Sequence, residues 1–278
     1  MNAAKTGRAS ETTLIDVVFP QHTNHHGTLF GGVGLANMDK VAFIAASRHG
    51  RVDFVTASCE RVDFHAPAHL GDLIELTGQI IRVGRRSLSV SVEMTAESPL
   101  GGERRRCGGS VFHMVAVGGL EKSGGVLPPL PQPAERVDQE DALRMVELVL
   151  PEQTSHYGSL FGGHALATMA KAAFIVATRH SRAAVVLAGS PRVDFTSQIH
   201  KGEVLELVSR LVKTGRSSMA VEVELRAENL LSGERRRAGA GVFVMVAVGP
   251  DHRPIAITSA RADASARESF HGEANARE

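Results

Sequence analysis

Several residue types are scarce among these 278 residues, and each shortage excludes a class of protein. Only two cysteines are present, Cys59 and Cys107, which excludes a disulfide framework and a four-cysteine zinc site. The 31 Lys and Arg residues are balanced by 30 Asp and Glu residues, which argues against a protein that binds nucleic acid through bulk positive charge. No apolar run approaches the ~20 residues that span a bilayer. We therefore expect neither a nucleic-acid partner nor a membrane partner.

The first residues lack the features of a secretory signal, and the histidines lack the spacing of a metal site. The start, MNAAKTGRASETT, has no apolar h-region of a secretory signal, so we expect a cytoplasmic protein with both cysteines as core thiols. His22, His25 and His26 have no supporting ligand spacing, so we expect no metal site. The 43% of hydrophobic residues suits a globular chain with a substantial core.

The chain contains an internal duplication. PQHTNHHGTLFGG at 20–32 matches PEQTSHYGSLFGG at 151–163, an offset of 131 residues that also relates GERRR at 102–106 to GERRR at 233–237. A period of this length is a whole domain, and two copies of one domain can pair about a pseudo-two-fold axis. We predict an N-terminal domain at 10–118, an exposed Gly- and Pro-rich linker at 119–140, a C-terminal domain at 141–250 and a polar, disordered tail at 251–278.

Each copy shows one helix pattern followed by strand patterns. The segment 33–49 is apolar almost all round, which predicts a buried helix, and 165–177 repeats it. The segments 73–83, 87–95 and 111–117 are rich in alternating or β-branched residues and are joined by short turns, which predicts antiparallel strands. We therefore predict an α+β fold in which each copy wraps an antiparallel sheet around its helix.

Three linked motifs carry a resemblance to a known family. They are P-x-x-x-N-x-x-G-x-x-F-G-G from Pro20, T-A-S-C-E-R-V-D-F-x-x-P-x-x-x-G-D at 56–72 and V-G-R-R-S-L-S-V at 83–90. This order resembles the hot-dog-fold acyl-CoA thioesterases of the acyl-CoA hydrolase type, in their tandem double hot-dog form. The resemblance implies two units sharing one sheet, active sites between them, cofactor-free hydrolysis of acyl-CoA, and a homo-oligomer such as a trimer of chains.

Two glycine pairs are candidates for polarising the thioester carbonyl. Gly31 and Gly32 open the first predicted helix, and Gly162 and Gly163 open the second. Free N–H groups and the positive end of the helix dipole stabilise a developing oxyanion, and glycine lets a substrate approach the backbone. The alternative is that each pair only turns the chain into its helix.

Asp39 and Asn24 are the candidate catalytic side chains. A carboxylate within an apolar helix is costly to bury without a purpose or partner, and the resemblance places the catalytic carboxylate at Asp39. It also places at Asn24 a residue that orients water or the thioester. The alternatives are an Asp39 at the helix edge that pairs with solvent or Arg48, and an ordinary loop asparagine.

The second copy lacks both side chains, because Asn24 corresponds to Ser155 and Asp39 to Ala170. The resemblance implies that each site takes its loop residue from one unit and its carboxylate from the other. One working site would then join Asp39 to Ser155, helped by a neighbour such as Gln153, and the site with Asn24 would have no carboxylate. If the pairing is within one copy, Asn24 and Asp39 act together and the second copy is scaffold.

The turns at 85–87 and 216–218 are candidates for binding the CoA phosphates, because their arginine guanidinium groups can bind phosphate. The alternative is a pair of solvated hairpin turns. For the ERRR runs at 103–106 and 234–237 we favour a solvated turn or a protected strand edge. A non-catalytic acyl-CoA binder or sensor on the same fold remains the rival to an enzyme. The candidate phosphate-binding residues are Arg85, Arg86, Ser87, Arg216, Ser217 and Ser218.

Overall fold

The computed structural model describes residues 11–130 and 142–257. The first half contains β1 (Thr12–Val17), α1 (Gly31–Gly50), β2 (Phe54–Cys59), β3 (Asp63–Phe64), β4 (Leu73–Val83), β5 (Ser87–Glu97) and β6 (Arg104–Ala116). The second half repeats this order with β7 (Ala142–Leu148), α2 (Gly162–Ser181), β8 (Ala184–Gly189), β9 (Val193–Phe195), β10 (Val204–Thr214), β11 (Ser218–Glu228) and β12 (Arg235–Val248). Single 3-10 turns lie at Pro20–His22, Leu120–Ser123 and Pro151–Gln153.

Each half is one antiparallel sheet wrapped around its helix. The strand order is β1-β4-β5-β6-β2 in the first half and β7-β10-β11-β12-β8 in the second, with β3 on β6 and β9 on β12. The apolar face of α1, including Met38, Val41 and Ala42, packs in one core with Val90 and Val92 of β5. The predicted tandem hot-dog architecture is therefore confirmed.

Both helices begin at their glycine pairs. Phe30 and Phe161 adopt extended backbone before the first turns, and no side chain caps either helix at this end. Arg51 and Arg182 end the helices in the left-handed conformation, with φ of 53° and 50°. Among the described residues, neither helix is long and apolar enough to cross a membrane.

The halves meet through side chains rather than through a common sheet. The edge strands β1 and β7 lie next to each other, yet the described strands form two separate six-stranded sheets. Ile15 and Val17 of β1 pack into the core of the second half, and Ile44 of α1 packs with Val146 and Leu148 of β7. The expectation of one shared sheet is wrong, because the described strands of one half do not pair with those of the other. Side chains form the contact instead.

Reciprocal ion pairs join the halves about a pseudo-two-fold axis. Arg48 and Arg51 at the end of α1 bind Glu228 at the end of β11, at 2.7 and 3.0 Å. The equivalent Arg179 and Arg182 of α2 both bind Glu97 at 2.8 Å. Because each pair has a counterpart at the same offset, the predicted pseudo-two-fold pairing of the two copies is confirmed.

Three expectations outside the elements need correction. Leu120 and Leu127 lie in the predicted exposed linker but are buried against the first core. Cys107 is buried as expected, and burial raises the pKa of its thiol, whereas Cys59 is exposed on edge strand β2. The tail predicted as disordered from residue 251 is ordered as far as 257, because the amide of Ile255 donates to the carbonyl of Ala247 and Ile257 packs against the second core. The predicted linker from residue 131 to 140, and the predicted tail from residue 258, lie outside the described residues.

Candidate functional site

Asp39 lies in the middle of α1 and is bound by a hydroxyl from the edge strand β2. Thr56 Oγ1 donates to Asp39 Oδ1 at 2.5 Å and also lies 3.5 Å from the sulfur of Met114. The carboxylate is half-buried, so water can reach it. The alternative pairing with Arg48 is wrong, because Arg48 binds Glu228 instead. A carboxylate with one oxygen held by Thr56 keeps its second oxygen for another ligand.

Asn24 is held inside its own loop rather than next to Asp39. Its Oδ1 accepts the amide N–H groups of His26 at 2.9 Å and Thr28 at 3.3 Å, and its Nδ2 donates to Thr28 Oγ1 at 3.0 Å. The amide of Phe30 donates to the carbonyl of His22, which ties this loop to the first turn of α1. Asn24 therefore belongs to the N-terminal end of the helix.

Ser155 occupies the equivalent loop at the beginning of α2. Its Oγ lies 3.3 Å from Ser159 Oγ and accepts the amide of Tyr157 at 3.4 Å. Gln153 closes the preceding turn, since its Oε1 accepts the amide of Leu150 at 2.9 Å. Among the described residues, the hydroxyl of Ser155 thus makes long, weak contacts only, and it is freer than Asn24 to bind a substrate group.

Both helices present open N-terminal amides beside a groove. Among the described residues, no acceptor binds the amides of Gly31 and Gly32, or those of Gly162 and Gly163. A groove of about 320 Å³ lies next to Gly31, and one of about 420 Å³ lies next to Gly162. Groove A, the first, is lined by Thr28, Leu29, Gly31, Phe64, His65, Ala66, Pro67, Ala68 and Met94. Groove B, the second, is lined by Ser159, Leu160, Gly162, Ala165, Phe195, Thr196, Ser197, Gln198 and Ile199.

The helix itself separates Asp39 from the groove of its own half. Asp39 lies eight positions after Gly31 along α1, which corresponds to about 12 Å of helical rise. A carboxylate that activates a water must lie within hydrogen-bond reach of it, about 3 Å. A carbonyl bound at Gly31 is therefore out of range of Asp39 in the same half.

Packing across the interface links the Asp39 region of α1 to the loop of the second half. Phe43, one turn after Asp39 on the same face of α1, packs against the cluster formed by Ile44 and residues of the second half. Leu150, which immediately precedes the turn to Ser155, packs against that same cluster. This apolar contact brings the start of the Ser155 loop to the helix that carries Asp39.

The turn at 85–87 lies at the same end of the first sheet as Asp39 and Thr56. Met114 of β6 is in register with Thr56 of β2 on one side and with Leu88 of β5 on the other. Two strand spacings, about 10 Å, thus separate Thr56 from the residue that follows the turn. Arg85 and Arg86 of this turn are exposed and form no ion pair among the described residues. In the second half, Met245 of β12 is likewise in register with Leu187 of β8 and with Met219 of β11. The turn at 215–218 therefore also lies two strands from Leu187.

The ERRR runs lie at the beginnings of β6 and β12, where acidic groups bind them. Arg104 binds Glu75 at 2.8 Å, and Arg105 binds Asp72. In the second half, Arg236 binds Glu203 at 2.6 Å. The runs therefore begin two interior strands and are held by ion pairs, which differs from both a solvated turn and a strand edge.

Thr56 is the site residue that sequence reasoning missed. Its partner Asp39 is 17 residues away in the chain, and only the packing of β2 against α1 brings them together. The duplication carries a signal for this pair. At the positions equivalent to Asp39 and Thr56, the second half has Ala170 and Leu187. The two members of the pair are thus absent together from the second half. No group of three His, Cys, Asp or Glu residues in 11–130 and 142–257 is placed to hold a metal ion.

Comparisons with known proteins agree with this architecture. A sequence model of the thioesterase superfamily matches residues 26–102 and again residues 157–233. The crystal structure of an acyl-CoA hydrolase from Agrobacterium tumefaciens has a TM-score of 0.81 and 51% identity, covering 89% of this chain and 98% of that chain.

Two curated relatives extend the comparison to other organisms. The cytosolic acyl coenzyme A thioester hydrolase of Rattus norvegicus is 22% identical over 87% of this chain and 75% of its own length. The acyl-CoA thioester hydrolase YkhA of Bacillus subtilis is 37% identical, over 50% of this chain and 80% of its own length. The match to the rat protein spans both halves of this chain, and the match to the bacterial protein corresponds in length to one half.

Proposed function

We propose that this chain, which belongs to the thioesterase superfamily and is a thioester hydrolase, cleaves acyl-CoA into a free fatty acid and CoA at one composite site. The contact that supports the proposal is the hydrogen bond of Thr56 to Asp39, because it holds a half-buried carboxylate in place one turn of α1 before Phe43, which packs against the cluster between the halves. Asp39 and Thr56 come from the first half, and Ser155, Gly162 and Gly163 come from the second half.

Each residue has a distinct role in the proposed reaction. The amides of Gly162 and Gly163 bind the thioester oxygen, and Ser155 holds the attacking water. Asp39 takes a proton from that water as its oxygen bonds to the carbonyl carbon, giving a tetrahedral intermediate. The carbon–sulfur bond then breaks, and the leaving CoA sulfur receives the proton from Asp39. Thr56 fixes the carboxylate without taking part in the proton transfer.

The composite arrangement is favoured over a site within one copy by the length of α1. The rise of about 12 Å between Gly31 and Asp39 is too large for one carbonyl to contact both. The cluster that joins Phe43 to Leu150 supports the second half as the source of the missing loop. The turn at 85–87 would bind the CoA phosphates in this site, because it lies at the Thr56 end of the sheet.

The two loop residues distinguish the composite site from a site within the first half. We expect Ser155→Ala to lower kcat/KM for acyl-CoA about tenfold, the effect of losing one hydrogen bond of ~1.4 kcal/mol. Asn24→Ala is the matched control at the equivalent position, and its loss should be smaller. Release of free thiol from acetyl- to palmitoyl-CoA measures both variants. The reverse order of effects would instead support a site that joins Asn24 to Asp39.

We also propose that the protein is a cytoplasmic homo-oligomer, a trimer of double hot-dog chains. The location is supported by the name of the rat relative, a cytosolic hydrolase. The assembly is supported by the exposed edge strands β2 and β8, whose Val55 and Val186 are about half exposed. Sedimentation equilibrium should give three times the mass of one chain, and a monomer at micromolar concentration would contradict the assembly.

A further inference from the structure

An arginine and a buried carboxylate hold the loop that forms one wall of groove B. Arg236 of β12 donates from its two terminal nitrogens to the oxygens of Glu203 at 2.7 and 2.6 Å, and one of these nitrogens also donates to the carbonyl of Gln198 at 2.6 Å. Glu203 in turn accepts the amide of His200 at 2.8 Å. The guanidinium therefore ties together the two ends of the loop from Gln198 to Glu203, and Gln198 lines groove B.

The pair of Arg236 and Glu203 is ionised at neutral pH. Burial alone would raise the pKa of Glu203, but the hydrogen bonds from Arg236 and from the amide of His200 outweigh it, so the pKa lies below its ordinary value of 4.5. Two parallel hydrogen bonds between a guanidinium and a carboxylate fix their orientation as well as their distance. The carbonyl of Gln198, bound by the same guanidinium, is fixed with them.

The same loop is bound to the loop that carries Ser155. The amide of Leu160 donates to the carbonyl of Ile199 at 2.7 Å, and the amide of Lys201 donates to the carbonyl of Gly158 at 3.3 Å. The amide of Gly158 donates to the carbonyl of Ser155 at 2.9 Å. A displacement of the loop held by the arginine would therefore move both the wall of groove B and the support of Ser155.

Groove B is placed to receive the acyl chain of the substrate. In the proposed reaction the amides of Gly162 and Gly163 bind the thioester oxygen, and the CoA arm leads to the turn at 85–87 in the first half. Every residue that lines groove B belongs to the second half, and the groove begins beside Gly162, so the other arm of the thioester, the acyl chain, belongs there. Apolar side chains in its walls suit such a chain. They are Leu160, Ala165, Phe195 and Ile199.

We propose that Arg236, together with Glu203, is a positioning residue that fixes the wall of groove B and so determines which acyl chains the working site accepts. Arg236 acts through the carbonyl of Gln198 and the loop that follows it, rather than by contact with the reacting atoms. The inference rests on the proposed function, because groove B is assigned to the acyl chain through the role of the Gly162 amide.

The first half supplies a matched control. Arg105 binds Asp72 and donates to the carbonyl of Pro67 at 2.9 Å, so it holds the corresponding loop in the same way. That loop lines groove A beside Gly31, which the proposed working site does not use. Loss of either arginine should therefore lower stability by a similar amount, whereas only the loss of Arg236 should change the choice of acyl chain.

The ratio of kcat/KM values between acyl chains tests the proposal. Arg236→Met with Glu203→Gln removes both charges and leaves no buried carboxylate without a partner, and Arg105→Met with Asp72→Asn is the matched change. A loss of folded protein lowers kcat/KM for every chain by the same factor and leaves the ratio unchanged. Between the best and the poorest chain from acetyl- to palmitoyl-CoA, the ratio should fall at least about tenfold in the second-half variant, the effect of one misplaced methylene group in an apolar pocket. The first-half variant should keep the ratio.

Binding gives a second measurement that does not depend on turnover. The probes are dethia-carba analogues, with a methylene in place of sulfur, of the best and the poorest acyl-CoA. The ratio of their dissociation constants, measured by calorimetry, should fall by a similar factor in the second-half variant. Arg236→Lys keeps the charge but cannot form two parallel hydrogen bonds, so its ratios should lie between those of the unchanged protein and the double variant. If the double variant does not fold, Arg236→Lys serves as the test.

The possible outcomes separate this inference from the proposed function. Unchanged ratios in the folded second-half variant overturn the positioning role of Arg236 and leave the working site intact. An equal fall in the first-half variant overturns it as well, because the wall of groove A would then serve the substrate. Full hydrolysis by Asp39→Asn protein overturns the role of Asp39 instead, and the ratio of the dissociation constants still decides the role of Arg236.

Discussion

Replacing Asp39 by Asn should lower kcat for acyl-CoA hydrolysis by about 10²- to 10⁴-fold, the range that a general base contributes. The amide keeps the shape of the side chain and can still accept the hydrogen bond from Thr56, which is 2.5 Å long in the unchanged protein. It cannot take a proton from water. Release of thiol from acyl-CoA under saturating substrate measures the loss, and KM should change far less than kcat.

Asp53→Asn is the matched control for this change. Asp53 is an exposed carboxylate just after α1, in the same half. Within residues 11–130 and 142–257, only its backbone carbonyl is hydrogen-bonded, to the amide of Val117. Thr56→Val should lower kcat about tenfold or more, since a hydrogen bond to a charged group contributes ~1.5–3 kcal/mol. Thr56→Ser should recover most of that loss. A full rate in Asp39→Asn protein would show that another group activates the water.

Much of the fold could be predicted from the sequence because the relevant signals are local. The apolar stretch of α1 and the alternating residues of β5 each reflect the burial of one segment. Asp39 is also identified by a local signal, because a carboxylate within an apolar helix is costly to bury without a partner. The offset of 131 residues extends each of these predictions to the second half.

The partners of these residues could not be predicted, because partners depend on register and on packing between distant segments. Nothing near Asp39 in the chain indicates Thr56, which reaches it through the position of β2 at the edge of the sheet. Arg48 is the partner that the sequence alone offers Asp39. The structure instead gives it Glu228, 180 residues away in the other half. The contact of β1 with β7 through side chains was likewise beyond any local pattern.

Replacing Glu228 by Gln should lower the free energy of unfolding by about 3–5 kcal/mol, the cost of breaking a buried ion pair from one side. Its side chain is only 1% exposed and binds Arg48, Arg51 and Arg235. The neutral amide would leave three guanidinium groups at the interface between the halves without their counter-charge. Urea denaturation measures the loss, and Glu222→Gln on the exposed face of β11 is the control, with an expected change below about 0.5 kcal/mol.

The dependence of this loss on pH gives a second, independent check. Burial alone would raise the pKa of Glu228, but the charges of Arg48 and Arg235 outweigh it, so the pKa lies below its ordinary value of 4.5. A carboxyl group with a lowered pKa stabilises the fold above its unfolded pKa, and the contribution is lost as pH falls through the folded value. The difference between Glu228→Gln and the unchanged protein should therefore be constant near neutral pH and shrink below about pH 4.5. A difference that grows on acidification would mean that the cluster does not stabilise the ionised form.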